Sequence, residues 1–464
     1  MTSFSIGVNA LNSTKNLDPR TQRLLEAPIA STLLKMAGPS MLVMVAQTVA
    51  GLIETYFVGQ LGTDALAAMS LVFPLVMFMQ MTSAGAMGGG IASSIARALG
   101  ARNPEKANSL VFHALVIAIG FGVLFTVGVI AAGPWLYQAM GGNGASLDNA
   151  LLYSNWVFGG AIAVWLFNAL NAIIRGTGNM NVPAVITCVG TVFLIPISPV
   201  LIFGWGPIPA LGIAGGAIAL LIYYIAGSIA FIVYLYSKNS LLKPRFANIH
   251  FEKKLFWDIL KIGLVGTIST VATNLTIGTA TSMVGQFGDA SIAGYGTGSR
   301  IEYVLVPIVF GFGAPLVAMV GACVGAGNFN RAIKVTWIGA AMATGLTELI
   351  GLLAAFFPAA WLGLFDKDPA MIEVGTHYLQ IVGPFYGFFG LALILYFASQ
   401  GAGRLFWPVM GNIVRLVVAI AGGIIAINVG WGLTGVFATQ ALALLCYGLF
   451  NATAIAKGAW TRHQ

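Results

Sequence analysis

Glu54 lies near the end of the apolar run 33–58, whose only other charge is Lys35 near its start. A carboxylate within a lipid-spanning segment costs about 3 kcal/mol or more and is a functional-site hypothesis by default. Gln47 stands seven residues earlier, so on a helix the two side chains share one face. Asn168 and Asn171, three apart in a later run, share a face in the same way. Amide-bearing faces turn toward protein or water and away from acyl chains. Desolvation disfavours the charged form of a carboxyl, so a lone Glu suits the loading and release of protons. A sodium ion instead wants several oxygen ligands around one or two carboxylates. The competing reading makes Glu54 a pairing or capping residue near the outer interface.

A second set of membrane charges occupies the C-terminal half: Arg300, Glu302, Glu348 and Arg415. Two acids and two bases are expected to pair, which is how such groups survive in lipid. Arg300 and Glu302 are two apart and point opposite ways on a straight helix, so each needs a partner on a neighbouring helix. Arg300 with Glu348 is one such pairing, and Pro307 and Pro315 are expected to bend the same helix around a cavity. Glu302 stands evenly between a coupling or substrate residue and a structural ion pair, whereas Arg415 reads as structural or gating. Methionines such as Met41, Met44 and Met87 suit an adaptable pocket but read first as helix packing.

These residues must be positioned by membrane helices. The chain of 464 residues is 58% hydrophobic and 8% charged, against roughly a quarter charged in soluble domains. Apolar runs near 33–58, 67–97, 108–132, 147–174, 183–204, 213–236, 256–286, 291–323, 332–357, 371–399, 407–428 and 433–456 are each long enough to span, at roughly 20 residues. Residues 1–30 show no charged segment leading into an apolar stretch and cleavage site, so the first run is expected to be retained.

With the N-terminus and every second loop on the cytoplasmic side, that side holds nineteen of the 22 basic residues, and the other holds only Lys367. The net charge of +8 is therefore a topology signal and not a nucleic-acid patch. Both termini are expected in the cytoplasm, in a multi-pass protein of the inner membrane.

The chain also repeats itself. VGQLGTDALAAM (58–69) recurs as VGQFGDASIAGY (284–295), ALGARNPEKA (98–107) as CVGAGNFNRA (323–332), and RGTGNMNVPAV (175–185) as QGAGRLFWPVM (400–410). The offset stays at 225 or 226. Each half carries six spans, so both insert with the same orientation and are related by an axis along the membrane normal, with a cavity between them. The predicted fold is an all-α membrane protein of twelve helices in two six-helix bundles. Its parts are a cytoplasmic segment 1–32, an N-lobe 33–236, a basic linker 237–255, a C-lobe 256–456 and a cytoplasmic tail 457–464.

At this level the sequence resembles the multidrug and toxic compound extrusion (MATE) family. The likeness runs from about residue 30 to 456 and rests on LIETYFVGQLGTDALAAMS at the end of the first helix, RGTGN after the fourth and GAGNFNRA after the eighth. It implies an ion-coupled antiporter that expels drugs or other organic compounds by alternating access. It further implies that Glu54 occupies the cation or proton position of the DinF-like branch, usually Asp there, and that Pro39 corresponds to the proline whose kink accompanies protonation. Gln47, Tyr153, Asn168 and Asn171 match N-lobe pocket positions of that branch. Two departures matter. Leu194 and Ser198 stand where an Asn and an Asp usually precede the fifth-helix proline, here Pro199, and the C-lobe acids of the NorM-like branch are missing. With Ser198 in place of the second acid, one carboxylate remains in the N-lobe, which favours protons over sodium as the coupling ion.

The expected function is export of a small organic compound across the bilayer in exchange for protons or sodium, by a monomer with no cofactor and no resident metal. The alternative is a lipid-linked oligosaccharide flippase of the same superfamily. Such proteins often have fourteen spans and a cation-rich cavity; here Arg300 and Arg415 are balanced by acids. An enzyme is not expected. No Gly-Lys pair builds a phosphate loop, the histidines His113, His250, His377 and His463 are scattered, and no HExxH or GxSxG occurs. Cys188, Cys323 and Cys446 make neither a disulfide nor a zinc framework.

Overall fold

The computed structural model describes residues 18–244, 251–365 and 368–460, with the Tyr303 side chain excepted. Lys15, Arg245, His250, Lys367, Arg462 and His463 lie outside the described residues. Eleven of the described helices are long and apolar enough to cross a membrane, and a bent pair makes a twelfth. In chain order they are α1 (Ile29–Gly59), α2 (Thr63–Gly100), α3 (Pro104–Ala139), α4 (Gly144–Gly159 and Ala161–Gly176), α5 (Asn181–Phe203), α6 (Ile213–Tyr236), α7 (Lys253–Gly285), α8 (Asp289–Gly325), α9 (Phe329–Phe356), α10 (Pro369–Ala402), α11 (Phe406–Val429) and α12 (Gly432–Ala456). Each falls on one of the twelve apolar runs. The first starts at Ile29, just after Pro28 and four residues ahead of its apolar run, and a short helix, Pro19–Glu26, precedes it.

The sequence repeat has a backbone cause. Gly62 and Gly288, at the same place in the two halves, have φ of 116° and 101°, and Gly178 and Gly403 have φ of 79° and 75°. Only glycine takes such conformations without cost. Asn103 and Asn328 are likewise equivalent. Each caps the next helix, accepting the backbone N–H of Lys106 at 2.8 Å and of Arg331 at 3.0 Å. The offset falls only at α6 and α12. There residues 204–212 form a longer hairpin, pinned by Trp205 and Ile208, that the second half lacks.

Four spans are interrupted. α4 bends by 46° at Gly160. α10 breaks at its counterpart, where Gly383–Phe385 form a tight turn containing Pro384. α8 breaks at Arg300–Ile301, ahead of Pro307, and runs on as regular helix through Pro315. α2 carries a π-helical stretch, Met81–Met87. α1 is continuous through Pro39, and the Ser40 hydroxyl donates to the Met36 carbonyl at 3.0 Å.

The lobes interlock at the end rich in Lys and Arg. The Gly88–Gly100 part of α2 packs on the Glu302–Gly325 part of α8, whereas Thr63–Gln80 and Asp289–Ser299, at the other end, pack within their own lobes. The contact is backbone to backbone: a Cβ on Gly100 would strike the Ala322 carbonyl, and one on Gly325 the Arg97 carbonyl. Arg97 closes the seam by donating to the Gly401 carbonyl at 3.2 Å. Small residues at such crossings allow the close approach that association in lipid depends on.

Candidate functional site

Glu54 is only 4% exposed. The Tyr153 hydroxyl, on α4, donates to its Oε1 at 2.5 Å. Gly216 on α6 makes the room: a Cβ there would sit 3.5 Å from Oε1 and 2.9 Å from Val58 Cγ2. α5 runs alongside in the same direction, with the Thr191 hydroxyl donating to the Ala46 carbonyl at 3.2 Å. Ser198, seven residues further along α5, is buried with its Oγ unpartnered. No basic side chain forms an ion pair with Glu54 among the described residues.

Beside the carboxylate runs a chain of neutral polar groups. Tyr224, on α6, stands within electrostatic reach of Glu54 and accepts a hydrogen bond from the Gln80 amide. Asn168 Nδ2 donates to Gln80 Oε1 at 3.0 Å and to Ser83 Oγ at 2.8 Å. Asn171, three residues further along α4, is also buried, and the side-chain oxygens of both asparagines lack a partner among the described residues. Thus the structure joins Glu54 to Tyr153, and Asn168 to Gln80, Ser83 and Tyr224 beside them, in one part of the N-lobe. Gln47 is half-buried on α1 and shares no hydrogen bond with them.

Gln80, Ser83, Tyr224 and Gly216 were not legible as site residues. The π-helical stretch shifts the register of α2, and such stretches free backbone carbonyls for outside donors. Arg175 Nη2 reaches the Ala84 carbonyl at 3.5 Å, and Gln400 Nε2 reaches those of Gly85 and Ala86 at 3.2 and 3.3 Å. Arg175 and Gln400 are equivalent residues of the RGTG and QGAG turns, which the sequence repeat had already paired.

The C-lobe charges are arranged otherwise than their spacing suggests. Arg300 is exposed over the Phe365 ring at 5.5 Å, and Glu348 accepts the Gly387 backbone N–H at 2.7 Å. The expected Arg300–Glu348 pair is therefore absent. The break in α10 leaves an N–H for Glu348 to cap, and the break in α8 turns Arg300 outward. Glu302 is half-buried and faces Arg415 without a direct ion pair. Met41 packs on Gly311, and Met44 with Phe310 and Arg175 lines a small cleft between the lobes.

The MatE family model matches residues 39–200 and 267–425, one segment in each lobe. This chain belongs to the MATE family. Members of that family are transporters and not enzymes. Over 396 residues the chain is 28% identical to a protein of Shewanella oneidensis named FAD transporter, covering 85% of this chain and 87% of that one. A probable multidrug resistance protein of Bacillus subtilis, YoeA, is also 28% identical, over 81% of this chain and 82% of its own length. A crystal structure of MATE in the straight conformation superposes with TM-score 0.85 at 22% identity, covering 95% of this chain and 99% of that one. That likeness is one of fold.

Proposed function

We propose that this MATE transporter exports small organic compounds in exchange for protons, with Glu54 as the residue that carries the proton. One observation supports this above the others: a carboxyl 4% exposed, held by the Tyr153 hydroxyl and by no basic group among the described residues. Charge at such a place is expensive, and a bound proton removes it. The single carboxylate, with Ser198 on α5 in place of a second acid, speaks for a proton over sodium and for the DinF-like branch.

The basic end is read as cytoplasmic, so the interlocked lobes seal that side and the opposite side is open. Protonation from outside neutralises Glu54 and lets the outer half of α1 settle against α4 and α6. Pro39, which cannot donate to the helical ladder, is the place for α1 to bend. The polar chain Gln80–Asn168–Ser83 then closes up and the compound leaves outward. The names of the relatives, a FAD transporter and a probable multidrug resistance protein, support organic cargo as the class. Export as a monomer from the inner membrane completes the reading.

The test is substrate movement in everted membrane vesicles with proton and sodium gradients imposed separately, for the native protein and Glu54→Gln. The native protein should respond to the proton gradient alone, and Glu54→Gln should not respond to it. A Glu54→Gln protein that still answers fully to a proton gradient sinks the proposal.

A further inference from the structure

Arg415 is a buried charge with no hydrogen-bond or ion-pair partner among the described residues. It lies in the middle of α11, 5% exposed. Its Cζ stands 5.7 Å from the centre of the Phe389 ring on α10 and 5.8 Å from that of Tyr447 on α12. Nε is enclosed without a hydrogen-bond partner. The two terminal nitrogens donate to no group among the described residues either, yet they are not enclosed as Nε is. Glu302 on α8 is within electrostatic reach but beyond ion-pair distance. The buried side chains around it are aromatic and hydroxylated. The hydroxyls of Tyr378 and Tyr386 meet at 3.1 Å, and the Tyr295 ring meets that of Tyr378 edge-on at 5.2 Å.

A guanidinium is a planar fork of five donors that matches a two-oxygen anion. The faces of Phe389 and Tyr447 attract its positive charge but accept none of its N–H bonds in the plane. Burying such a group with its donors unused is costly, so an anion that accepts from the fork would be held strongly. The same charge repels cations. Flat, rigid rings with hydroxyl tips are suited to holding a planar ligand with few polar contacts.

We propose that Arg415 is the anion-recognition residue of a substrate site inside the C-lobe, which takes the carboxylate or phosphate of a flat aromatic compound and seats its ring among Tyr378, Tyr386, Phe389 and Tyr447. The inference rests on the reading of this chain as an exporter of organic compounds and adds the chemical class. Glu302 balances the charge of Arg415 and competes with the incoming anion.

The experiment is equilibrium binding to the purified full-length protein in nanodiscs, with empty nanodiscs as blank. The probes are 2-naphthoate, its neutral isostere 2-naphthamide, and 2-naphthyl phosphate. The native protein should bind at least one of the two anions about 10-fold or more tightly than the amide, since charge-assisted hydrogen bonds are the strong ones. Which anion wins tells carboxylate from phosphate cargo. Arg415→Gln should bring the anion-to-amide ratio to about one, and Glu302→Gln should raise it.

Arg415→Lys keeps the charge and loses the fork, so its ratio should fall between the two; it decides the matter if Arg415→Gln does not fold. Equal binding of acid, phosphate and amide by the native protein, or a native ratio retained in the Arg415 variants, overturns the proposal. So does a fall in the ratio for Glu302→Gln, which would mark a structural pair. Binding needs no gradient. A protein that exports organic cations but binds neither anion loses this site and keeps the exporter reading, whereas failed proton coupling leaves the binding result intact.

Discussion

Adding side chains at the seam between the lobes should shift the transport cycle by a calculable amount. A Cβ on Gly325 would lie against the carbonyl, C and Cα of Arg97, and one on Gly100 against the same atoms of Ala322. In both places the obstacle is backbone, which cannot swing aside as the end of a flexible side chain can. Overpacking of this kind costs about 1–3 kcal/mol. Alanine in place of helical glycine also favours each helix by up to about 1 kcal/mol. That gain applies in every state of the transporter and cancels from the equilibrium between them. The clash applies only where the seam is closed, so Gly325→Ala should move the population away from this state by about 5- to 150-fold. Gly100→Ala and Gly325→Ala together should be less than additive, because both relieve the same contact. Spin labels at Thr63 and Asp289, exposed at the starts of α2 and α8 in opposite lobes, report the change. Their distance should shorten as the end opposite the seam closes. Gly128→Ala is the control, since a Cβ there meets nothing within 4 Å. If Gly325→Ala gives the distance distribution and transport rate of the Gly128→Ala control, the seam is not what holds this state.

Other contacts give further outcomes. Tyr153→Phe removes the hydroxyl that donates to Glu54 at 2.5 Å and should lower thermal stability by about 1–3 kcal/mol, with weaker proton-driven export in the same vesicles. Asn168→Leu breaks two hydrogen bonds, to Gln80 and Ser83, and should reduce export more than it reduces the amount of folded protein in the membrane. Arg331 on α9 donates to the Leu24 and Ala27 carbonyls at 3.4 and 2.5 Å, and Arg20 donates to Tyr234 on α6 at 3.1 Å. The helix Pro19–Glu26 therefore straps the two lobes together at the basic end, and Arg331→Ala should speed hydrogen exchange of that helix by about 10-fold or more.

What the sequence disclosed and what it hid divide along a physical line. Apolar length, basic loops and the paired turns are local properties, and all twelve spans were legible from them. The turns repeat because Gly62, Gly288, Gly178 and Gly403 must take positive φ and because Asn103 and Asn328 must cap. Facing directions were harder. Spacing described Arg300 and Glu302 on a straight helix, but the helix breaks between them, their surroundings depended on the breaks in α8 and α10, and no pattern along the chain marks where Glu348 meets Gly387. Gly216 was illegible for the same reason: its function is to be small opposite Glu54, and only packing reveals what lies opposite.

The two-fold repeat also fails at an informative place. Residues 81–87 are π-helical, whereas their counterparts 307–313 in α8 belong to a regular helix with prolines at 307 and 315. A π stretch leaves carbonyls open to outside donors, and Arg175 and Gln400, equivalent residues of the two halves, both reach for it. Both lobes thus spend their matching turn on one segment of the N-lobe, the same segment whose Gln80 and Ser83 join Asn168 near Glu54. A change of protonation at Glu54 that reorders this polar chain acts on the one stretch of helix that Gln400 ties to the C-lobe. On the proposed proton-coupled reading the signal from Glu54 crosses the seam at this segment, so Gln400→Ala should uncouple export from the proton gradient while leaving the Glu54–Tyr153 bond in place. Export by Gln400→Ala that still tracks the proton gradient as the native protein does would show that the signal crosses elsewhere.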